Sequence, residues 1–283
     1  MALALALLAA AAYGIAVAFQ FHEAAAADPQ RSLQPRLLLG LLARPLWLLG
    51  MVADIAGFAL QTAALTFGSL AIVQPILTLS LVVSLLVGAR LENHRLHRWE
   101  WFAVIGALAG ISIFFLAARP TGHSNATAAA GDWLILLTVL VCVVAVALST
   151  GRLASGVSRA VLFAVAAACA EALMAVIAEA FGDRLRRGVL STFASWQPYA
   201  IAACGVATLL LVQSAYQVGR ATITLPVLTV TEPVIAISIG VVMFGEHLRL
   251  DGWHGPIVLL SLVLAAHSLI TIARRSPHAA PSG

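Results

Sequence analysis

The residues in this sequence best suited to chemistry are acidic side chains inside long apolar stretches. Asp54, Glu171, Glu179 and Glu232 are each surrounded mainly by alanine, leucine, valine and isoleucine. A charged side chain at the centre of a membrane-spanning helix costs about 2.5–3.5 kcal/mol on insertion scales. We therefore expect such a carboxyl group to be protonated, paired or bound to a cation, which predicts a binding role for these positions.

Glu232 is the sharpest candidate for the central residue of a binding site. It directly precedes Pro233, and Pro226 lies earlier in the same apolar stretch. Each proline removes a backbone N–H and disturbs the helical turn before it. Carbonyl groups freed in this way, beside a carboxylate, are suited to binding a cation or a proton. An ordinary proline kink is the alternative interpretation.

Asp54 and Glu171 are lesser candidates of the same kind. Asp54 is followed by Gln61 after about two helical turns, so the two side chains share one face of a helix. This polar stripe predicts either a binding site or a hydrogen bond that fixes helix packing. Glu171 is expected near the middle of its helix. Glu179 comes close to the end of the same helix and is expected at the solvent interface.

Neutral polar residues complete the predicted substrate-binding set. Gln74, Gln213 and Tyr216 lie in apolar stretches, where they can line a cavity or bind one helix to another. The three cysteines lack the spacing of a redox or metal motif, and no nucleotide-binding or hydrolase motif is present. We therefore expect no enzyme activity, no catalytic residue and no cofactor, and we leave a metal site open.

The elements that must position these residues are membrane-spanning helices. The chain has 283 residues, of which 61% are hydrophobic and only 10% charged, whereas soluble domains carry about 25% charged residues. A spanning helix needs about 20 apolar residues. The sequence predicts an all-α polytopic membrane protein with about nine transmembrane helices, near residues 1–21, 45–66, 70–89, 99–118, 133–149, 158–181, 196–218, 222–244 and 255–272.

Two alternatives to this arrangement stay open at this point. The first segment ends in an alanine-rich stretch, which suits a cleaved signal peptide, although it has no basic residue before its apolar run. Residues 37–42 are also apolar and would give a tenth crossing if they belonged to an extra helix. The stretch of residues 33–67 is too short for two full crossings and a turn.

Arginine placement predicts how the chain lies in the membrane. All sixteen basic residues are arginine, and eleven of them fall on one side of the nine-helix arrangement, against five on the other. Cytoplasmic loops carry the excess of basic residues. The chain is thus expected to be a multi-pass protein of the plasma membrane, with its N-terminus outside and its C-terminus in the cytoplasm. Because the arginines are spread over many short loops, membrane topology explains them and a nucleic-acid partner is not expected.

An internal repeat relates the two halves of the chain. Gly68 and Gly219 are each followed seven residues later by a proline, Pro75 and Pro226, and then by a similar apolar run that ends in threonine. The predicted division is a first four-helix repeat (1–122), a linker helix (123–156), a second four-helix repeat (157–275) and a disordered tail (276–283).

The shift between equivalent helices is five, an odd number, so equivalent helices must cross in opposite directions. Inverted repeats of this kind are the architecture of many secondary transporters, whose substrate binds near the midplane between the halves. The sequence therefore predicts an inverted-repeat transporter fold.

At these motifs the chain resembles the EamA-like drug/metabolite transporter superfamily. Residues 245–248 match its Gly-Glu-x-Leu turn, and residues 88–91 match it except that Ala89 replaces the glutamate. The resemblance covers nearly the whole chain, best over residues 47–118 and 196–275. It implies a duplicated unit of four or five helices and a transport activity.

In layout the chain is most similar to the NIPA-like magnesium transporter branch, which also has nine predicted helices. The long arginine-bearing first loop, followed by residues 44–50, carries this similarity. The branch typically has a glutamate and an asparagine in its second helix. This chain has Phe58 and Gln61 at those places, and Asp54, one turn earlier, is a candidate substitute.

The predicted function is secondary transport of a small solute, coupled to protons or ions, with magnesium transport as the alternative. The expected partners are membrane lipids and a small-molecule or cation substrate, and a homodimer stays open. The sequence does not specify the solute, the direction of transport or the coupling ion.

Overall fold

A computed structural model describes residues 1–67, 70–93, 96–118, 130–188, 192–244 and 247–275. Gly68, residues 245–246 and residues 276–283 lie outside these ranges, and so do the predictions of a repeat landmark, a Gly-Glu-x-Leu turn and a disordered tail made for them. All the regular secondary structure longer than a single residue within these ranges is helical, which confirms the all-α prediction. The α-helices are α1 (Ala2–Ala25), α2 (Pro35–Leu41), α3 (Pro45–Phe67), α4 (Leu70–Leu77), α5 (Ser80–Leu91), α6 (Arg98–Ala118), α7 (Ala130–Leu153), α8 (Gly156–Arg187), α9 (Gln197–Val218), α10 (Ala221–Phe244) and α11 (His254–Arg275).

Eight of the described helices are long and apolar enough to cross a membrane: α1, α3 and α6 to α11. The remaining predicted segment, residues 70–89, forms two shorter helices, α4 and α5, separated at Thr78 and Leu79. The short helix α2 covers part of the apolar stretch that we considered for a tenth crossing. Its seven residues reach only about 10 Å, too short to span. The protein is thus a multi-pass membrane protein.

Outward-facing apolar side chains give the helices a surface suited to lipid. In α7, Leu134, Ile135, Val141 and Val146 each expose more than 60% of their area. A soluble domain rarely presents so large a continuous apolar surface. Inside the bundle, α8 presents small residues such as Ala164, Ala167 and Ala168, all fully buried. Small residues allow helix backbones to approach closely in membranes.

One end of the bundle, here called the closed end, is where α1, α5 and α9 finish and where α3, α8 and α10 begin. Glu23 near the end of α1 forms an ion pair with Arg44, just before α3. Gln217 near the end of α9 donates a hydrogen bond to the backbone oxygen of Ala27, directly after α1. Ala160, near the start of α8, belongs to the same buried core as these ends.

Equivalent helices of the predicted repeats run in opposite directions. At the closed end α1 finishes and α8 begins, α3 begins and α9 finishes, and α5 finishes and α10 begins. At the opposite end, the backbone N–H of Arg249, before α11, donates to the backbone oxygen of Ala118, the last residue of α6. Thus α6 finishes where α11 begins. These are the directions that an inverted repeat requires, while the division at residues 122 and 157 stays a prediction.

The buried core is continuous at the closed end and divided at the opposite end. At the closed end one cluster joins both halves and includes Phe21, Trp47, Phe163 and Tyr216. At the opposite end, the clusters described for the chain keep α1, α3 and α4 apart from α7, α8 and α10. Contacts of α6 with α10 and α11 bridge the halves there. This division leaves space between the halves.

Candidate functional site

A cavity of about 530 Å³ lies between the two halves of the chain. Helices from both halves contribute to its lining, and the continuous core seals it at the closed end. Its polar lining residues are Tyr13, Asp54, Gln61, Thr78, Ser80, Ser84, Glu171, Tyr216, Thr229 and Glu232. A volume of this size is ordinary for the binding of a small organic molecule.

Three carboxyl groups line this cavity from three different helices. Asp54 comes from α3 in the first half, and Glu171 and Glu232 come from α8 and α10 in the second. Asp54 and Glu232 lie about 14 and 17 Å along helices that both begin at the closed end, close to half the thickness of a membrane. The two halves therefore present acidic groups to each other at nearly the same depth.

The charge of this cavity is unbalanced. Among the residues that the structure describes, no arginine or histidine lines it. None of the three carboxyl groups forms an ion pair or a hydrogen bond within the part of the chain that the structure describes. The same residues contain no group of three potential ligands placed to hold a metal ion. Carboxyl groups without basic partners in a membrane interior attract protons or a cationic ligand.

Tyr13 positions the amide of Gln61 at the first-half side of the cavity. Its hydroxyl donates a hydrogen bond to Gln61 Oε1 at 2.7 Å. Gly57 lies against the ring of Tyr13, where a Cβ atom would come within about 3 Å of the ring carbons. Because Gly57 has no side chain, the ring of Tyr13 can pack against α3 and line the same cavity as Asp54.

The break between α4 and α5 places two hydroxyl-bearing residues at the cavity. Pro75 lies inside α4, and Thr78 Oγ1 donates to the backbone oxygen of Pro75 at 2.6 Å. Thr78 and Ser80, on either side of the break, both line the cavity. Interrupted helices are typical of substrate sites in transporters with inverted repeats. In the second half, α10 instead continues through both Pro226 and Pro233.

The closed end beneath the cavity holds a buried polar pair. Gln213 is fully buried, and its Nε2 atom donates to Oε1 of Gln20, in α1, at 2.9 Å. The hydroxyls of Thr222 and Thr224 are also buried and have no hydrogen-bond partner among the described atoms. Arg44 adds an ion pair to Glu23 at 2.8 Å. Polar groups are therefore enclosed within the apolar core that separates the cavity from this end.

The structure brings five of the seven predicted site residues to one cavity: Asp54, Gln61, Glu171, Tyr216 and Glu232. Gln213 does not line it. The signal for Gln213 was its polarity in an apolar helix, and its Nε2 atom uses that polarity in helix packing by donating to Gln20, while its buried Oε1 atom has no hydrogen-bond partner among the described atoms. The side chains of Gln74 and Glu179 are outside the described residues.

Sequence reasoning missed Tyr13 and the hydroxyl groups around the α4–α5 break. Tyr13 is a polar residue in the otherwise apolar first half of α1, with Gln20 two turns later, a spacing like that of Asp54 and Gln61. That spacing was a usable signal. Ser80 and Ser84 gave none, because serine in a membrane helix commonly bonds to its own backbone, as Ser84 does with Leu81.

Comparison with known proteins gives one informative relative and no family assignment. An uncharacterized protein of Corynebacterium glutamicum is 28% identical over 257 residues, which cover 90% of this chain and 89% of that protein. No family model and no solved structure matches the chain. The similarity extends over almost the full length of both proteins. Because that relative is uncharacterized, we interpret the site from its own chemistry.

Proposed function

We propose that this protein is a secondary transporter that moves a small solute across the membrane in exchange for protons or ions, with the organisation of the EamA-like drug/metabolite transporters that its sequence resembles. The observation that carries the proposal is the set of three unpaired carboxyl groups, drawn from both halves, around one cavity between those halves. In transporters built from inverted repeats, substrate and coupling ions bind at the interface between the repeats.

Charge considerations support coupling to protons or other cations. Asp54 in the first half and Glu232 in the second half face the same bound ligand. The charge state of either residue therefore affects how the two halves pack around that ligand. A carboxyl group that binds a proton in one state and a cationic ligand in another links the two events thermodynamically. The cavity then serves both the solute and the coupling ion.

The orientation that we propose has the closed end in the cytoplasm. Arg44, Arg159 and Arg220 lie at this end, where the predicted basic excess falls. The structure then represents an arrangement in which the cavity is separated from the cytoplasm and lies toward the outside.

A transport assay in proteoliposomes tests the proposal. Purified protein is reconstituted with an internal pH-sensitive dye, and solute-dependent proton movement is measured for a panel of cationic, neutral and anionic solutes. We expect at least one solute to drive proton movement. Glu232→Gln, which keeps the shape and removes the charge, should abolish that movement without unfolding the protein. Glu92→Gln is the matched control, because Glu92 is exposed and does not line the cavity.

Unchanged solute-coupled proton movement in folded Glu232→Gln protein would remove Glu232 from the coupling role. Absence of coupled movement for every solute, with either a pH or a sodium gradient, would contradict secondary transport itself.

Magnesium transport is a second candidate, because Mg²⁺ prefers oxygen ligands and Asp54, Glu171 and Glu232 supply carboxyl oxygens to the cavity. The described residues do not place three such ligands around one ion, so a bound Mg²⁺ would keep water among its ligands. A magnesium pathway predicts uptake of Mg²⁺ into the same vesicles, measured with an internal magnesium dye, and loss of that uptake in Glu232→Gln. Vesicles that exchange an organic solute for protons but take up no Mg²⁺ would exclude it.

A further inference from the structure

We propose that the cavity binds an organic dication, a small molecule that carries two ammonium groups separated by a hydrocarbon segment. This proposal rests on the proposed function, because it names the substrate class of the same site. It makes a separate claim about binding, which can be true or false whether or not the protein transports.

The first step is the charge of the cavity. Three carboxyl groups and no basic residue line it, and none has an ion-pair partner within the described ranges. Burying unpaired charge in a low-dielectric interior is costly, so a stable complex requires positive charge from the ligand or protons. Two ammonium groups neutralise two carboxylates, and the third carboxyl group remains for the coupling proton of the proposed exchange.

Tyr216 gives an independent indication of a ligand. The residue is only 5% exposed, it lines the cavity, and its hydroxyl has no hydrogen-bond partner among the residues that the structure describes. The ring is held in place by Phe21, with ring centroids 5.3 Å apart. A buried hydroxyl normally finds a partner. Here the free oxygen is available to accept an N–H of an ammonium group in the cavity that Glu171 also lines.

The placement of the charges favours a ligand with two separated charges. Asp54 stands on the first-half side of the cavity, whereas Glu171 and Glu232 stand on the second-half side. A ligand with an ammonium group at each end can contact both sides at once. Such a ligand would hold the two halves together through charge, which a single compact charge on one side would not do.

The remaining surface of the cavity suits hydrocarbon between those charges. Apolar side chains such as Val17, Leu81 and Leu228 line it together with the rings of Tyr13, Tyr216 and Phe115. Aromatic faces attract ammonium groups as well as hydrocarbon. A volume of about 530 Å³ accommodates a molecule of several carbon atoms between its charged ends.

The test is direct binding by calorimetry to purified full-length protein in detergent at neutral pH. The probes are 1,5-diaminopentane, 1-aminopentane and MgCl₂. The diamine and the monoamine share a five-carbon chain and differ mainly in one charge. We expect the diamine to bind at least about tenfold more tightly than the monoamine, since a hydrogen bond to a charged group contributes about 1.5–3 kcal/mol.

Substitutions then assign the gain to the carboxyl groups. Asp54→Asn and Glu171→Gln should each reduce diamine affinity to about that of the monoamine, while Glu92→Gln should leave it unchanged. Thermal unfolding of each variant identifies those that are folded. Each substitution removes the partner of one ammonium group, on one side of the cavity. One folded variant is therefore sufficient to test whether the second ammonium group contributes to binding.

Equal affinity for the two amines, no diamine binding at millimolar concentration, or a diamine preference that survives both substitutions in folded protein would overturn the proposal. Binding of Mg²⁺ that depends on Glu171, without diamine binding, would overturn it in favour of a metal ion. Diamine binding without transport would contradict the proposed function and leave this inference standing. Proton-coupled transport of a neutral or anionic solute, without diamine binding, would do the reverse.

Discussion

Gly110 is the position where the packing of the two equivalent helices α6 and α11 can be tested most directly. A Cβ atom at Gly110 would lie 2.8 Å from the backbone nitrogen of Ala265 and 2.8 Å from the backbone oxygen of Ser261. Ordinary contacts begin at 3.4 Å. These neighbours are backbone atoms and cannot rotate away, so Gly110→Ala requires α6 and α11 to separate locally by roughly 0.6 Å, the difference of the two distances.

The expected magnitude follows from two opposing effects. Overpacking costs about 1–3 kcal/mol, whereas alanine gains about 1 kcal/mol over glycine inside a helix. Gly205→Ala in α9 is the matched control, because its Cβ would meet only Met174 Cε at 4.0 Å. The control keeps the gain without the clash. Gly110→Ala should therefore be less stable than Gly205→Ala by the overpacking cost alone, about 1–3 kcal/mol.

Thermal unfolding in detergent measures this difference. For a chain of comparable size, 1 kcal/mol shifts the midpoint by about 2–4 °C. Midpoints for Gly110→Ala and Gly205→Ala that agree within error would refute the close approach of α6 and α11, and with it the pairing of these two helices across the inverted repeat.

Three further predictions concern orientation, the cavity and the closed end. Asn93→Cys, in protein otherwise free of cysteine, should resist an impermeant thiol reagent added outside intact cells and react in inside-out vesicles; ready labelling from outside would reverse the proposed orientation. Tyr13→Phe removes the hydrogen bond to Gln61 and should weaken 1,5-diaminopentane binding by about 2- to 10-fold, as expected for about 0.5–1.5 kcal/mol; equal affinity would show that this bond does not shape the cavity. Arg44→Gln should lower the unfolding midpoint because Arg44 forms an ion pair with α1, whereas exposed Arg36→Gln should not; equal midpoints would show that the ion pair contributes nothing measurable.

Sequence patterns determined the spans well because the membrane imposes a simple requirement on length and polarity. The predicted segments correspond closely to α1, α3 and the helices from α6 to α11. The break at Thr78 and Leu79 was not predicted, since Pro75 alone is compatible with a continuous helix, as Pro226 and Pro233 are in α10. Whether a proline interrupts a membrane helix depends on neighbouring groups that can satisfy the freed backbone.

The candidate site was predictable in its charges and less so in its neutral members. Asp54, Glu171 and Glu232 stood out because a carboxyl group in apolar surroundings is costly wherever it points. A glutamine can direct its amide to another helix instead of the cavity, and Gln213 does so by donating from Nε2 to Gln20. Whether a glutamine faces the cavity or another helix depends on how its helix is rotated about its own axis. The periodicity of one helix does not determine this rotation relative to the neighbouring helices.

The contrast between the broken α4–α5 segment and the continuous α10 has an energetic consequence for the proposed transport cycle. In an inverted-repeat transporter, the opposite-facing state arises when one half rocks against the other around the binding site. Here the third helix of one half contains a turn at Thr78 and Leu79 that its counterpart lacks. In the proposed cycle the two facing states would therefore not be related by exact twofold symmetry, and their free energies would differ. A transporter of this kind would rest preferentially in one of them when empty. That resting preference affects how fast substrate is captured from each side, while the direction of net movement is set by the gradients alone.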